Sequence, residues 1–581
     1  MRSSIAIGVL AFGGLAAAGG MMVASFPRPE IAIERTAGPM VAPTDTLRWE
    51  ARFSPAEDRE RLVAQVDRQP TDALVLEGDD GIALPLARLT PGAHFLEFTL
   101  ARRGGRVTRF TDQVLAGPWL ADVDRGCDLG LTLTPQGLHD LLLPVIEEKV
   151  LAGARTNEYF GPTSYLARKE LEVIDGGLRF DVRLDTNEPG KGDLAVAGVI
   201  DVVGQGERGA NVSLRRIDRA VPGPKLEAMA EAEGSRKVGA IGVGVGSGLV
   251  AVTGGGALLG AAAALGAGYV GSKIGERVGK QTVQREVRVE AREQIEGALR
   301  EVTQALLLPE GVPVLPTEPA LLADLQWCVA PSLTHEGGLQ ARLQVKLRSD
   351  ALSEQAARMA VAHGTILPEP SLPSQPDANV HVDVNADFVN LLLAEWMVRE
   401  GLQQALDESG LRRQVQAQLG DRTRWQVQAL RVEVPPMVRP LEKGRIDATL
   451  AGVVLELHDP SRDATRTVVM GATGALTLVP LEPLGRLQLG GSLDEVYLGC
   501  RERRGELEWR VPCFSSVLDP QMLRAQLDEA LQTRSNQLPV LDLGSLFRLQ
   551  IFGDADPRAL ELADFQVAAQ ADLLTIDARV R

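Results

Sequence analysis

Aromatic residues, histidine and cysteine are all scarce in this sequence. Only 4% of its 581 residues are aromatic, and it has 6 His and 4 Cys. No Cys-x-x-Cys pair occurs and the histidines are scattered, so the spacing a zinc site needs is absent. No Gly-x-Ser-x-Gly elbow occurs, which removes the usual signature of a serine lipase. A basic stripe is missing too. With 61 Lys and Arg against 77 Asp and Glu, the net charge is −16. Phosphate backbones are held by clustered cations, so nucleic acid is not the expected partner. His139 stands beside Asp140, but neighbouring helix positions point apart. His381 and Asp383 share one strand face with no Ser or Cys partner indicated. The expectation is a protein without catalytic residues, cofactor or metal.

What is present is a repeat. Residues 129–146 (LGLTLTPQGLHDLLLPVI) and 380–397 (VHVDVNADFVNLLLAEWM) both begin with alternating residues and turn into a leucine-rich stretch. Alternation giving way to 3.6-residue spacing marks a strand feeding a helix. Thr134 followed by Pro135, and Asn385 in the second copy, are plausible helix starts. In each copy an apolar anchor, Leu138 or Phe388, precedes a triple leucine. Long alternating strands follow, then another helix: about 286–307 after the first copy and 520–531 after the second, the latter started by Asp519 and Pro520.

The rest of the chain divides around these copies. Residues 1–26 carry an uncharged run from Ile5 to Phe26, long enough to cross ~30 Å of hydrocarbon. It reads either as a secretory signal cleaved after Ser25 or as an uncleaved anchor, and in both cases the remainder of the chain is exported. Residues 27–44 read as a linker. Residues 45–120 show short strands with turn residues between them, enough for a small sandwich. The loop Leu89–His94 resembles that of immunoglobulin-like sandwiches in bacterial surface proteins. A first unit spans 125–350, a proline-rich linker 351–377, and a second unit 378–581. Four cysteines suit an exported chain. Cys500 and Cys513 flank a charged turn that suits a local bridge, leaving Cys127 and Cys328 to join across the first unit; four buried thiols are the alternative. Gly204–Gly209 spells a dinucleotide fingerprint, yet strand-like sequence comes next where a helix is needed, so it reads as a hairpin turn.

Inside the first unit, 237–280 forms a glycine-rich insertion with no charge from Val238 to Ser272. Gly242 with Gly246 and Gly256 with Gly260 have the small-xxx-small spacing that lets helices approach closely. Together with Tyr269 they mark a stretch that contacts a membrane, associates with another copy, or folds back as a buried hairpin.

The order strand, helix, antiparallel strands, second helix and closing strand pair resembles the tubular lipid-binding (TULIP) superfamily. The second unit is similar to the C-terminal half of the bactericidal permeability-increasing protein family. VDVNADFVNLLLAEWMVREG resembles its opening, and LPVLDL, LQIFGDADPRAL and FQVAAQADLLTI resemble its end. The resemblance implies an α+β chain: a hydrophobic N-terminal helix, an immunoglobulin-like sandwich, and two tandem units in which a long helix is wrapped by a curved antiparallel sheet. It implies acyl chains lined by Leu138, Leu141, Leu142, Val145 and Ile146 in one unit, and by Phe388, Leu391, Leu392, Trp396, Leu523, Leu527 and Leu531 in the other. The same side chains serve equally well as a solid core. The expected protein is periplasmic, anchored in the inner membrane, and partnered by phospholipid or another acyl lipid. A structural or assembly protein of the envelope is the alternative. The glycine insertion has no counterpart in the family.

Overall fold

The computed structural model describes residues between 31 and 580, leaving out 54–61, 102–106, 144–150, 152–161, 226–311, 404–411, 417–424, 512–539, 550–557 and shorter breaks. The whole glycine insertion, the N-terminal segment and the expected helices at 286–307 and 520–531 therefore lie outside the described residues.

The two copies of the repeat meet. Leu129–Leu133 and Val380–Asn385 pair antiparallel, with Leu129 opposite Val384, Leu131 opposite Val382 and Leu133 opposite Val380. Each then pairs on its other side with a closing strand of its own unit, Gly338–Leu347 for the first copy and Leu573–Val580 for the second. The result is a seven-stranded antiparallel sheet in the order Val312–Leu315, Leu321–Thr334, Gly338–Leu347, Leu129–Leu133, Val380–Asn385, Leu573–Val580, Leu562–Gln570. Its middle is the seam between the units. The bonds at the ends of the two seam strands match in pairs. Thr134 N donates to Asn379 O at 3.0 Å, and Asn385 N donates to Asp128 O at 2.9 Å. The sequence repeat is thus a local two-fold arrangement of backbone.

Each seam strand leads straight into helical turns because its cap residue is in place. Asn385 accepts from Asp387 N and starts the helix Ala386–Val398. Thr134 Oγ1 accepts from Gly137 N at 3.1 Å, with Pro135 in the first turn. Gly137 faces the Asn379 carbonyl so closely that a methyl group would collide with it.

Each unit carries an outer sheet. The first has Ser164–Ile174, Gly177–Thr186, Leu194–Gln205 and Gly209–Pro222 in that order. Gln205 pairs with Gly209, so the Gly204–Gly209 stretch closes a hairpin. The second sheet has Gln426–Val432, Ile446–Asp459, Ala464–Leu481, Arg486–Arg504 and Leu507–Val511 as its main path. Cys127 and Cys328 form a disulfide with Cα atoms 5.7 Å apart, tying the start of the first seam strand to the strand Leu321–Thr334. Cys500 is also disulfide-bonded; Cys513 lies outside the described residues.

The expected α+β architecture does not hold. Strands dominate the described residues, and no long helix wrapped by a sheet is found among them. The longest described helix, Ala386–Val398, has 13 residues, about 20 Å at 1.5 Å per residue. It ends where Glu400 takes a left-handed backbone with φ 60°; at that end the Arg399 side chain is held by Glu395 at 2.9 Å and by Asp350 at 3.0 Å. The helix packs on Ala351–Met359 through Leu391 and Ala394 against Ala356 and Ala360. It also lies under Met437–Pro440, where Asn390 exchanges two bonds with Val438. Leucine spacing gave the helix its position but not its length or a surrounding sheet.

The N-terminal sandwich has a four-stranded and a five-stranded sheet. Ile31–Arg35 and Met40–Val41, in the stretch read as a linker, are strands of it. Its core is Leu47, Trp49, Ile82, Leu96, Phe98 and Leu100 with their neighbours. Trp49 meets Phe98 edge-on at 5.0 Å and donates its indole N–H to buried Asp112 at 2.9 Å, as a buried indole needs. The sandwich is seated on the second outer sheet. Phe95 stacks on Tyr497 at 3.8 Å, Gln113 Oε1 accepts from Gly452 N at 2.9 Å, and Arg68 pairs with Glu495 at 2.7 Å.

Candidate functional site at the seam

Alternation decides what the two faces of the seam present. Leu129, Leu131, Leu133, Val380, Val382 and Val384 share one face. Most of them join one cluster with Leu138, Val173, Leu333 and Ile576. Leu129 and Val384 also pack beside Phe388, Ala323 and Val345, with Leu392 at the edge. Leu391 belongs to the helix–helix cluster with Leu120 and Ala356. Leu138, Phe388 and Leu391 are therefore buried in three neighbouring apolar clusters. Leu392 and Trp396 are half-buried. Leu141, Leu142, Val145, Ile146, Leu523, Leu527 and Leu531 lie outside the described residues, as do Gly242, Gly246, Gly256, Gly260 and Tyr269.

The opposite face is polar. It presents Gly130 and Thr132 from the first seam strand, His381 and Asp383 from the second, and Thr575 and Asp577 from Leu573–Val580. Gly130 leaves room for Asp383, whose side chain would stand 3.3 Å from a methyl group there. His381 Nδ1 meets Asp577 at 2.5 Å and its Nε2 meets Asp383 at 3.1 Å. Ser371, from the proline-rich segment, approaches the same Nε2 at 3.1 Å. The sequence placed His381 and Asp383 on one face but indicated no serine partner. Ser371 was missed because it comes from a segment without periodic structure.

Ser371, His381 and Asp577 have the order of a hydrolase triad, and the electrostatics oppose that use. A general base must be free to take a proton from the serine. Burial pulls the His381 imidazole down, yet its bonds to Asp383 and Asp577 outweigh this and push its pKa up to about 8. At neutral pH the ring is already charged, and Asp383 shares the nitrogen the serine would use. The cluster is a clamp rather than a nucleophile's base. At the other end of the seam, burial pushes buried Asp128 up to about 6 against the pull of Arg125. His139 and Asp140, expected to diverge, touch at 3.3 Å.

One cavity stands apart from the seam, a depression of about 490 Å³ on the charged face of the first outer sheet. Arg168, Arg183 and Arg219 line it together with Ala195 and Val221. Each guanidinium is already matched: Arg168 to Glu170 and Asp181, Arg219 to Asp181, Arg183 to Asp193. The guanidinium groups are about half exposed, so the cavity presents a solvated face of matched charge, although Asp193 beneath it is buried.

No known family profile matches the chain, and no curated protein does. Two solved structures are similar in the course of the chain. A lipopolysaccharide binding protein shares 13% identity over 78% of this chain and 99% of its own, with a TM-score of 0.31. The P47 protein of Clostridium botulinum E1 shares 7% identity over the same fractions, with a TM-score of 0.24. These are distant likenesses, and the functional reading rests on the chain's own geometry.

Proposed function

We propose that this chain is an exported lipid-binding protein of the bacterial envelope, tethered to the inner membrane, which carries or bridges acyl lipids. The observation that carries the reading is the seam. It joins two units along one apolar face, and the helical turns that leave each seam strand keep Leu138 and Phe388 beside it. Acyl chains need such continuous apolar surface, at ~25 cal/mol per Å² removed from water. In this reading Leu391, Leu392 and Trp396 extend the surface in the second unit together with Leu523, Leu527 and Leu531. Leu141, Leu142, Val145 and Ile146 extend it in the first. The N-terminal segment is the tether, and the glycine insertion with Tyr269 contacts the membrane. No helix among the described residues is long and apolar enough to cross a bilayer.

The test is to purify the full chain without added lipid, extract it, and identify bound lipid by mass spectrometry. A fluorescent acyl probe is then titrated in. The expected outcome is a defined acyl lipid that the probe displaces. Recovery of no lipid together with no probe binding sinks the proposal.

The rival reading is a structural or assembly protein of the envelope. It is favoured by one observation, the seating of the sandwich on the second unit through Phe95, Gln113 and Arg68. A chain that co-purifies with an envelope protein and carries no lipid would establish it.

A further inference from the structure

Residues 366–377 include Pro368, Pro370, Pro373 and Pro376. Proline has no N–H to give a ladder, so this segment is unsuited to extend the sheet as a further strand. It crosses the polar face of the seam sheet instead, and side chains hold it there. Gln340 Nε2 donates to Pro370 O at 3.3 Å. Ser371 Oγ meets His381 Nε2 at 3.1 Å. Ser374 donates its N–H and its hydroxyl to Asp577 Oδ2 at 2.9 and 2.5 Å. Gln375 pairs with Gln566. The two ends are tied by backbone: His363 N and Gly364 N donate to Asp387, and Asn379 N donates to Ala578 O.

We propose that residues 366–377 form a latch over the seam, held shut by charged His381 between Asp383 and Asp577 and released when that imidazole loses its proton. The groups that face His381 define the charge. Asp383 lies on its own strand and Asp577 on the adjacent one. The first seam strand offers Thr132 and Gly130, and the latch offers Ser371 and Ser374. Gln340, Gln566 and Arg342 come from the flanking strands, Arg342 opposite Gly130, and Arg579 follows Asp577 on its own strand face. Glu369 and Asp377 of the latch are exposed. Among the described residues no lysine or arginine pairs with Asp383 or Asp577, so a single imidazolium answers two buried carboxylates.

A neutral imidazole has one N–H and can serve only one of them. The other then stays buried without a cation, which strongly disfavours the closed arrangement. The direction follows from the raised pKa. Burial lowers it, the two carboxylates raise it further, and it stands at about 8 against an ordinary value of 6.5. The closed latch is held while the imidazole is charged and loses that hold as pH rises through about 8. Release leaves the ends tied and uncovers the polar face along which both units join. This device does not depend on the lipid reading.

Hydrogen exchange of the full chain, followed by mass spectrometry and corrected for intrinsic exchange at each pH, tests the latch. The amide of Ser374, the latch amide that donates to Asp577, reports on it. It is expected to be protected near pH ~6 and to lose protection about tenfold or more through pH ~8, while the seam strands stay protected. His381→Gln is expected to leave that amide open throughout, without a pH step. Should that variant fail to fold, the double variant Ser371→Ala, Ser374→Ala leaves His381 and both carboxylates in place and is expected to open the latch at low pH. A flat profile in the parent chain overturns the proposal, and so does parent-like protection in either variant.

Discussion

The two faces of the seam sheet are made by the same two strands and are stabilised by opposite means. On one side Leu133 and Val382 are 2% and 4% exposed, in contact with other aliphatic groups. On the other side His381 and Asp383 are 6% and 3% exposed, in contact with ions and hydroxyls. Burial is nearly equal, but tolerance of change is not. An aliphatic face loses contacts in proportion to what is removed. A buried ionic face loses little until one partner goes, and then leaves an uncompensated charge. The seam is therefore forgiving on one side and switch-like on the other.

The largest effect is expected from His381→Ala. It strands two buried carboxylates, and breaking buried pairs in this way costs about 3–5 kcal/mol. Urea unfolding at neutral pH measures it. The loss should shrink as pH falls, because two carboxylates without a cation take up protons readily. A loss that ignores pH would show that His381 is held by packing alone, and the contrast between the faces would collapse. Leu133→Ala on the aliphatic face should cost about 2–5 kcal/mol, toward the lower end where neighbours close in. Its unfolding should keep the parent's pH dependence. A change of slope in Leu133→Ala would mean that the two faces are coupled through the strand.

The faces were legible in the sequence because alternation alone assigns them. LGLTL and VHVDVN place every side chain on its side once the strands exist, and the caps at Thr134 and Asn385 fix where the strands end. Neither the antiparallel pairing of one copy with the other nor the closure by Asp577 was legible. Pairing is decided across about 250 residues, and a carboxylate 196 residues from its histidine leaves no local mark. The long wrapped helix was expected from the family resemblance; the leucine spacing beneath it sets an apolar face but says nothing of length. The helix ends at the left-handed Glu400, and Arg399 beside it is held by Asp350 and Ser353 at the start of another helix. The strands at Ile31–Arg35 and Met40–Val41 were hidden because prolines nearby read as linker. Ser371 was hidden for the same reason: a proline-rich stretch is easily taken as a tether between domains when its side chains are what bind.

The smallest effect sharpens the comparison by removing burial. On the first outer sheet Arg179 pairs with Glu172 at 2.8 Å, much as His381 pairs with its carboxylates, but both side chains are about half exposed, at 48% and 49%. Water screens such a pair and solvates whichever partner remains. Arg179→Ala should therefore change the free energy of unfolding by less than about 1 kcal/mol, and the residual effect should fade on adding salt. Urea unfolding at low and high ionic strength reads both quantities. A loss approaching that of His381→Ala would mean that the charge network of the outer sheet acts as one unit, and that burial is not what separates the two kinds of ion pair in this chain.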